Sequence, residues 1–315
     1  MSDASPAIAA ADWGTSHLRV WLLDAAGNVL SERRSAEGLL ALKPGDFSAV
    51  LESHLDAMGA PKTLPAIICG MAGSRQGWVE ATYVLVPASI GDILAGAVAA
   101  PGTSRDVRII PGIAQREESA PDVMRGEETQ LAGIAALSSG NHLVCMPGTH
   151  SKWVETNDGT VTGFGSWLTG ELFSLLSRQS ILRHSLGEGP ASVSPDNATF
   201  RRWCSDALSE GGDVGARLFR IRASTLLLDL SPADAAAALS GLLIGAEIAS
   251  AERRFAGAGG PVTLVASSSL AKLYEAALNM AGREVRVVDG DKVVRAGLLA
   301  AARHNGMIGS IGAQA

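Results

Sequence analysis

Hydrophobic positions along the chain fall into two rhythms. Short, largely apolar runs of strand length, at 8–11, 65–69, 107–110, 143–146, 262–266 and 285–288, end in glycine, proline, hydroxyl-bearing or charged residues and predict buried strands. Between them, apolar residues recur at helical spacing. Asp46 is placed to cap a helix to about Met58, with Val50, Leu51, Leu55 and Met58 on one face. Ser89 with Asp92 reads as a capping box for a helix to about Ala99, and a further helix is predicted over 125–137. Helices are also predicted from Glu171 to about Arg183, after a Ser231-Pro232 start to about Arg254, and over 270–281 and 291–303. The intervening stretch 187–197 is polar and rich in Gly, Pro and Ser. Strand and helix alternate throughout, so the fold class is α/β.

One pattern is written twice. Residues 8–29 and 143–161 each read as apolar strand, Gly-Thr turn, second strand and glycine-containing hairpin turn, and one offset superposes Gly14 on Gly148, Thr15 on Thr149 and Val20 on Val154. A duplicated domain explains the shared order better than chance, and the boundary is expected near Gly140, giving α/β domains at 1–140 and 141–315. Such turns expose backbone N–H groups and hydroxyls, the makings of an anion site. Gly14, Thr15 and Ser16 in one copy, and Gly148, Thr149 and His150 in the other, are therefore expected to grip the phosphates of one nucleotide. Asp12 ends the first strand, where a carboxylate can hold Mg²⁺ through water, while Met146 stands at that place in the second copy.

Composition narrows the classes. The chain has 315 residues, 47% hydrophobic and 18% charged, which excludes a disordered chain, and that length suits two domains. Its net charge of −6, with no basic run, lacks the footprint of a nucleic-acid binder. Three scattered cysteines, Cys69, Cys145 and Cys204, form no CxxC pair and suit a reduced, cytoplasmic protein. The first residues lack a signal-peptide pattern, and Ser240 and Glu247 interrupt the apolar stretch 235–251, so no membrane association is expected. Glycine, 36 residues, exceeds the usual ~7% and clusters at strand ends, where backbone approaches a ligand or turns sharply. GxGxxG after a strand, GxxxxGK[ST], HExxH and GxSxG are all absent, which removes dinucleotide-dependent oxidoreductases, P-loop enzymes, zincins and α/β-hydrolases.

The duplicated hairpins resemble those of the sugar kinase/hexokinase/actin superfamily. A closer resemblance, to the 2-dehydro-3-deoxygalactonokinase family, is carried by residues 12–16 (DWGTS), 70–78 (GMAGSRQGW), 124–130 (MRGEETQ), 146–153 (MPGTHSKW), 168–173 (LTGELF) and 239–247 (LSGLLIGAE), in order along nearly the whole chain. It implies two related ribonuclease-H-like, actin-type domains with an interdomain cleft for ATP and substrate. It further implies transfer of the γ-phosphoryl of ATP, with Mg²⁺, to the 6-hydroxyl of 2-dehydro-3-deoxy-D-galactonate.

Phosphoryl transfer of this kind is positioning plus charge neutralisation, with a carboxylate beside the attacking hydroxyl. In the superfamily that carboxylate often follows a glycine at a helix start, and Gly126-Glu127-Glu128 occupies the corresponding place, with Glu where relatives usually carry Asp. Glu127 is the first candidate for the base and Glu128 the second, although acidic residues also suit a helix's first turn. The acid group of the substrate calls for an arginine. Arg75, flanked by Ser74, Gln76 and Trp78, is the first candidate and Arg125 the second. Lys152 and Arg19 are expected near phosphate, Thr169-Gly170-Glu171 opens a helix whose N-terminus suits an anion or sugar, and Ser267 and Ser268 stand where relatives usually carry glycines on the adenosine side. A kinase for another sugar or sugar acid, and a nucleotide-binding sensor without transfer activity, are the rival readings. A homodimer is compatible with a chain of this size, and no residue requires one.

Overall fold

The computed structural model describes residues 5–43, 45–187, 192–210, 213–266 and 269–309. In chain order the elements are β1 (Ile8–Trp13), β2 (Leu18–Leu23), β3 (Val29–Ser35), α1 (Phe47–Ala57), β4 (Ala66–Gly70), β5 (Val84–Leu85), β6 (Ala88–Ser89), α2 (Ile90–Ala95), β7 (Val98–Ala99), β8 (Val107–Ile109), β9 (Ile113–Gln115), β10 (Asp122–Met124) and α3 (Glu127–Ala132). There follow β11 (Asn141–Met146), β12 (Ser151–Asn157), β13 (Thr160–Trp167), α4 (Thr169–Gln179), α5 (Arg183–Leu186), α6 (Ala198–Glu210), α7 (Val214–Leu227), α8 (Pro232–Arg254), β14 (Val262–Val265), α9 (Ser269–Met280), β15 (Val285–Val288) and α10 (Gly290–His304).

The chain divides into two compact units. The first holds the residues up to Gly140, the hairpin tip Asn157–Gly163 and everything from Gly290 on. Its sheet runs β3-β2-β1-β4-β8-β7, with β1, β2 and β3 antiparallel and β1, β4 and β8 parallel. Alternation along β1 explains why the strand is apolar throughout: Ala9, Ala11 and Trp13 face Phe47, Leu51 and Leu55 of α1, while Ile8 and Ala10 face Val294, Leu298, Ala301 and Ala302 of α10. Sequence order assigns 290–315 to the second domain. The structure corrects this, because the apolar stripe of α10 covers the second face of the first sheet. A small sheet, β10-β9-β5, also belongs to this unit, and Thr160 and Val161 at the hairpin tip pair with Ser89 and Ala88 of β6.

The second unit holds Asn141–Thr156 and Phe164–Asp289. Its strands run β15-β14-β11-β12-β13, with β11, β14 and β15 parallel. This is the order of β8-β4-β1-β2-β3 in the first unit, so the repeat seen in the sequence is a repeat of topology, and the fold comprises two related α/β domains. The core of the second unit joins Leu143, Cys145 and Trp153 to Ala237, Ile244 and Ile248 of α8 and Leu273, Tyr274 and Ala277 of α9. By length and composition α8 could cross a membrane, but most of it is buried inside the unit, as a core helix is. Gly241 and Gly245 of α8 meet backbone atoms of Phe200 and Cys204, so these glycines serve a close crossing with α6.

Local expectations met mixed outcomes. Ser89 and Ser231 cap their helices, accepting from the N–H groups of Asp92 and Asp234. Asp46 makes no such bond; its carboxylate accepts from the Lys43 N–H instead. The helix expected to reach Ala99 ends at Ala95, because Val98 and Ala99 pair with Ile109 and Arg108. The helix expected over 125–137 ends at Ala132, and a 3-10 turn, Ala135–Ser138, follows.

Candidate active site

In the first unit two parallel strand ends and one helix start converge. Asp12 lies beside Cys69, and Trp13 beside Gly70. Gly70 takes φ +88°, and a Cβ there would stand 2.6 Å from the Trp13 carbonyl oxygen and 3.4 Å from Asp12 Oδ1, so the position admits only glycine. A Cβ on Gly126 would reach Gly70 Cα at 3.6 Å, which sets the start of α3 over the end of β4. The two glutamates that follow differ sharply. Glu128 is 1% exposed; its carboxyl accepts from the Gly126 N–H at 2.6 Å and the Thr129 hydroxyl at 3.0 Å. Burial, reinforced by the charge of Glu127, pushes its pKa up to about 8. Glu127 is half-buried and accepts from the Arg125 N–H at 3.1 Å.

Arg125 lies under the same turn. Its Nη2 donates to the Ala81 carbonyl at 2.8 Å, and its guanidinium rests on the Tyr83 ring at 4.4 Å. Its Nε and Nη1 are buried without a hydrogen-bond partner among the described residues, as is the hydroxyl of Ser74, which is 7% exposed. Nη1 lies against Gly73, next to Ser74 in the chain. Orphaned buried donors are costly, and here they collect around one turn.

Arg19 does not stand free for a phosphate. It donates to Asp12 Oδ2 at 2.5 Å and to Asp291 at the start of α10, and Arg34 meets the other Asp291 oxygen at 2.8 Å. Burial opposes the charge on Arg19, but Asp12 and Asp291 outweigh it and raise its pKa. No group of three His, Cys, Asp or Glu among the described residues forms a metal cluster. A nucleotide-borne Mg²⁺ needs only one or two protein carboxylates, because it keeps waters and phosphate oxygens. The hard carboxylate of Asp12, at a strand end, meets that requirement.

The second unit presents a different apparatus. Gly170, in the first turn of α4, packs on the hairpin turn so closely that a Cβ would stand 2.4 Å from the Gly148 carbonyl oxygen, and the Glu171 N–H donates to the Thr149 carbonyl at 2.9 Å. His150 Nε2 and Glu171 Oε2 are hydrogen-bonded, and Lys152, largely buried, turns its Nζ back to the His150 carbonyl at 3.3 Å. Beneath this turn lies Glu247 of α8, buried, with burial raising its pKa. It accepts from Trp153 Nε1 at 2.8 Å, from the Tyr274 hydroxyl at 2.6 Å and from the Thr169 hydroxyl. Beside them is a cavity of about 220 Å³ whose wall includes Gly148, Thr169, Gly170, Phe173, Leu243 and Tyr274.

Other expected site residues lie apart. The Gly14 and Thr15 carbonyls accept from the Leu39 and Leu40 N–H groups, leaving the Thr15 and Ser16 side chains exposed at the turn. Arg75 has an 84% exposed side chain whose ion pair with Glu80, at 3.9 Å, is a distant one, and Gln76 is exposed. Trp78, partly buried, packs against Trp13 and Phe47, and its Nε1 donates to the Pro101 carbonyl at 3.0 Å. Ser267 and Ser268 lie outside the described residues. A larger groove in the first unit, about 570 Å³ with Glu80, Thr82, Tyr83, Arg116 and Asp122 on its wall, contains none of the residues singled out from the sequence. Sequence reasoning missed the buried bonding of Glu247 and the pairing of Asp291 with Arg19; the available signal for Glu247 was a lone carboxylate inside an apolar helix.

Known proteins give this geometry a family. The model of 2-keto-3-deoxy-galactonokinase matches residues 12–301. A probable 2-dehydro-3-deoxygalactonokinase of Rhizobium meliloti (strain 1021) is 51% identical over 94% of this chain and 96% of its own. The 2-dehydro-3-deoxygalactonokinase of Escherichia coli (strain K12) is 37% identical over 92% and 95%. A crystal structure from Sinorhizobium meliloti, provisionally assigned to the same activity, superposes with a TM-score of 0.90 at 50% identity, covering 94% of this chain and 98% of that one. With the match running from the Asp12 strand end into α10, the chain belongs to the 2-keto-3-deoxy-galactonokinase family.

Proposed function

We propose that the chain transfers the γ-phosphoryl group of ATP to the 6-hydroxyl of 2-dehydro-3-deoxy-D-galactonate, releasing ADP and the 6-phospho sugar acid. The observation that carries the reading is the 51% identity, over 94% of the chain, to a relative named for that activity. The geometry supports a division of labour. Glu127, half-buried at the helix start, accepts the proton of the attacking hydroxyl. Glu128 cannot do this near neutral pH, because its buried carboxyl holds its proton up to about 8. The unpaired donors of Arg125 and Ser74 take the carboxylate of the sugar acid, which satisfies groups that otherwise lack partners. Arg75, whose side chain is exposed and not held in place by a close partner, is the weaker candidate for that task.

In the second unit the 220 Å³ cavity accepts the nucleoside, and Thr149, His150 and Lys152, which follow the wall residue Gly148 in the chain, meet the phosphates. Asp12 would hold the Mg²⁺ that travels with ATP, whose charge offsets that of the phosphates. Purified protein with ATP and Mg²⁺ is to be offered 2-dehydro-3-deoxy-D-galactonate, its gluconate epimer, galactonate and neutral hexoses while ADP release is followed. Release that depends on the first compound supports the proposal. Release with a neutral hexose would break the carboxylate assignment, and ATP binding with silence across the panel would favour a nucleotide sensor.

A further inference from the structure

Glu247 belongs to none of the roles above, yet it is among the most heavily bonded carboxyls of the second unit. Its two oxygens collect Trp153 from β12, Thr169 from the first turn of α4 and Tyr274 from α9, and the Tyr274 hydroxyl is shared onward with Ser151 at 3.0 Å. These groups are buried in the same small volume. A carboxyl in a core normally costs stability, and aliphatic packing would fill the space at lower cost. Its retention is explained by what it connects. Thr169 and Tyr274 are both wall residues of the 220 Å³ cavity, as are Gly148 and Gly170. One acidic side chain thus fixes the helix start, the facing wall and, through Trp153, the strand that follows the hairpin turn.

We propose that Glu247 is a positioning residue for the nucleotide: it presets the α4 start and the Tyr274 wall, so that the cavity and the turn above it are already shaped when ATP arrives. The inference rests on the reading that the second unit binds ATP. Glu247 touches no ligand itself; it acts through Thr169 and Tyr274, by cutting the ordering cost of binding.

The test compares Glu247→Gln, Tyr274→Phe, Thr169→Val and Thr169→Ser in the full-length protein, by steady-state kinetics in both substrates, fluorescent-nucleotide titration and thermal unfolding. Tyr274→Phe and Thr169→Val each remove one hydroxyl with little change of volume. They are expected to raise the ATP KM and the nucleotide Kd about 10-fold, which is the scale of one hydrogen bond to a charged or strongly polar partner. The sugar-acid KM should stay within about twofold, as for loss of nucleotide preorganisation alone. Thr169→Ser, which keeps the hydroxyl, should bring the ATP KM back towards that of the unaltered protein. Glu247→Gln should behave as the first two. The inference is overturned if folded Tyr274→Phe and Thr169→Val proteins keep their ATP KM, or if both substrate KM values rise together. Should the unaltered protein fail to bind the fluorescent nucleotide, the reading of the second unit falls, and this inference falls with it.

Discussion

Replacing Glu128 by Gln isolates the two-glutamate pair at the start of α3. The buried carboxyl accepts from the Gly126 N–H and the Thr129 hydroxyl. A glutamine keeps an acceptor for the first and turns its amide towards the oxygen of the second, so it copies the protonated acid. The pKa of Glu128 rises from 4.5 to about 8 in the fold. Below pH 4.5 folded and unfolded chains both carry the proton, and the contribution of the neutral carboxyl is fully present. Between 4.5 and 8 the unfolded chain releases the proton while the folded one retains it, so stability falls as pH rises, by about 1.4 kcal/mol per unit. The loss is complete above the folded value and totals roughly 4–5 kcal/mol, the product of the shift and that slope. Urea and thermal unfolding of both proteins at pH 5, 6, 7 and 8 should therefore show the stability of the unaltered chain, relative to Glu128→Gln, declining by about 1.4 kcal/mol per unit in the middle of that range, or ~2 °C in midpoint. Parallel pH profiles would refute the buried, neutral state. The kinetic counterpart follows: Glu128→Gln keeps kcat within about threefold, while Glu127→Gln loses at least about 100-fold, the ordinary value of a general base.

Three further outcomes are expected. Arg125→Ala should raise the sugar-acid KM by about 30-fold or more with little change in the ATP KM, whereas Arg75→Ala should leave both within about threefold; the reverse order in a coupled ADP-release assay would move the carboxylate site to the exposed loop. Gly70→Ala should lower stability by about 2–4 kcal/mol in thermal unfolding, because its φ of +88° and the 2.6 Å approach to the Trp13 carbonyl add strain to overlap. Gly170→Ala should push α4 from the hairpin turn, since its Cβ would lie 2.4 Å from the Gly148 carbonyl oxygen, and raise the ATP KM; an unchanged ATP KM in a folded variant would remove that turn from the nucleotide site.

The fold was legible where local periodicity and burial agree. The strands of the two repeats, Ser89 and Ser231 as caps, and α8 through α10 follow from pattern alone because each apolar stripe meets a core. Failures came where partners distant in sequence decide. Val98 and Ala99 leave helix for strand because β8 supplies an edge, and α10 joins the first unit because β1 and β4 leave a face uncovered. Helix α7 carries Phe219, Leu226 and Leu227 exposed, with Leu228 exposed just after it, so its apolar residues do not mark a single buried face. At the site, residue types near the glycine turns were readable, but pairing was not. That Arg19 is spent on carboxylates depends on Asp291, far along the chain, and that Arg125 keeps unpaired donors depends on how it is buried against Gly73 and Tyr83.

That pairing shows how the duplication diverged. The offset that superposes Gly14 on Gly148 also superposes Arg19 on Trp153. In the first unit the residue at this place turns to a carboxylate on the adjacent strand, Asp12; in the second it turns to a carboxyl on a helix, Glu247. Asp12 is partly exposed and its partner is a partly exposed guanidinium, which on the proposed reading gives way to the Mg²⁺ of the nucleotide. Glu247 is buried, held by uncharged donors and raised in pKa by that burial, so exchange is closed to it and it serves shape. A single backbone pattern thus carries two physical tasks. The difference is set by whether the acid stands at a strand end, as Asp12 does, or inside a helix core, where Met146 has left the strand end apolar.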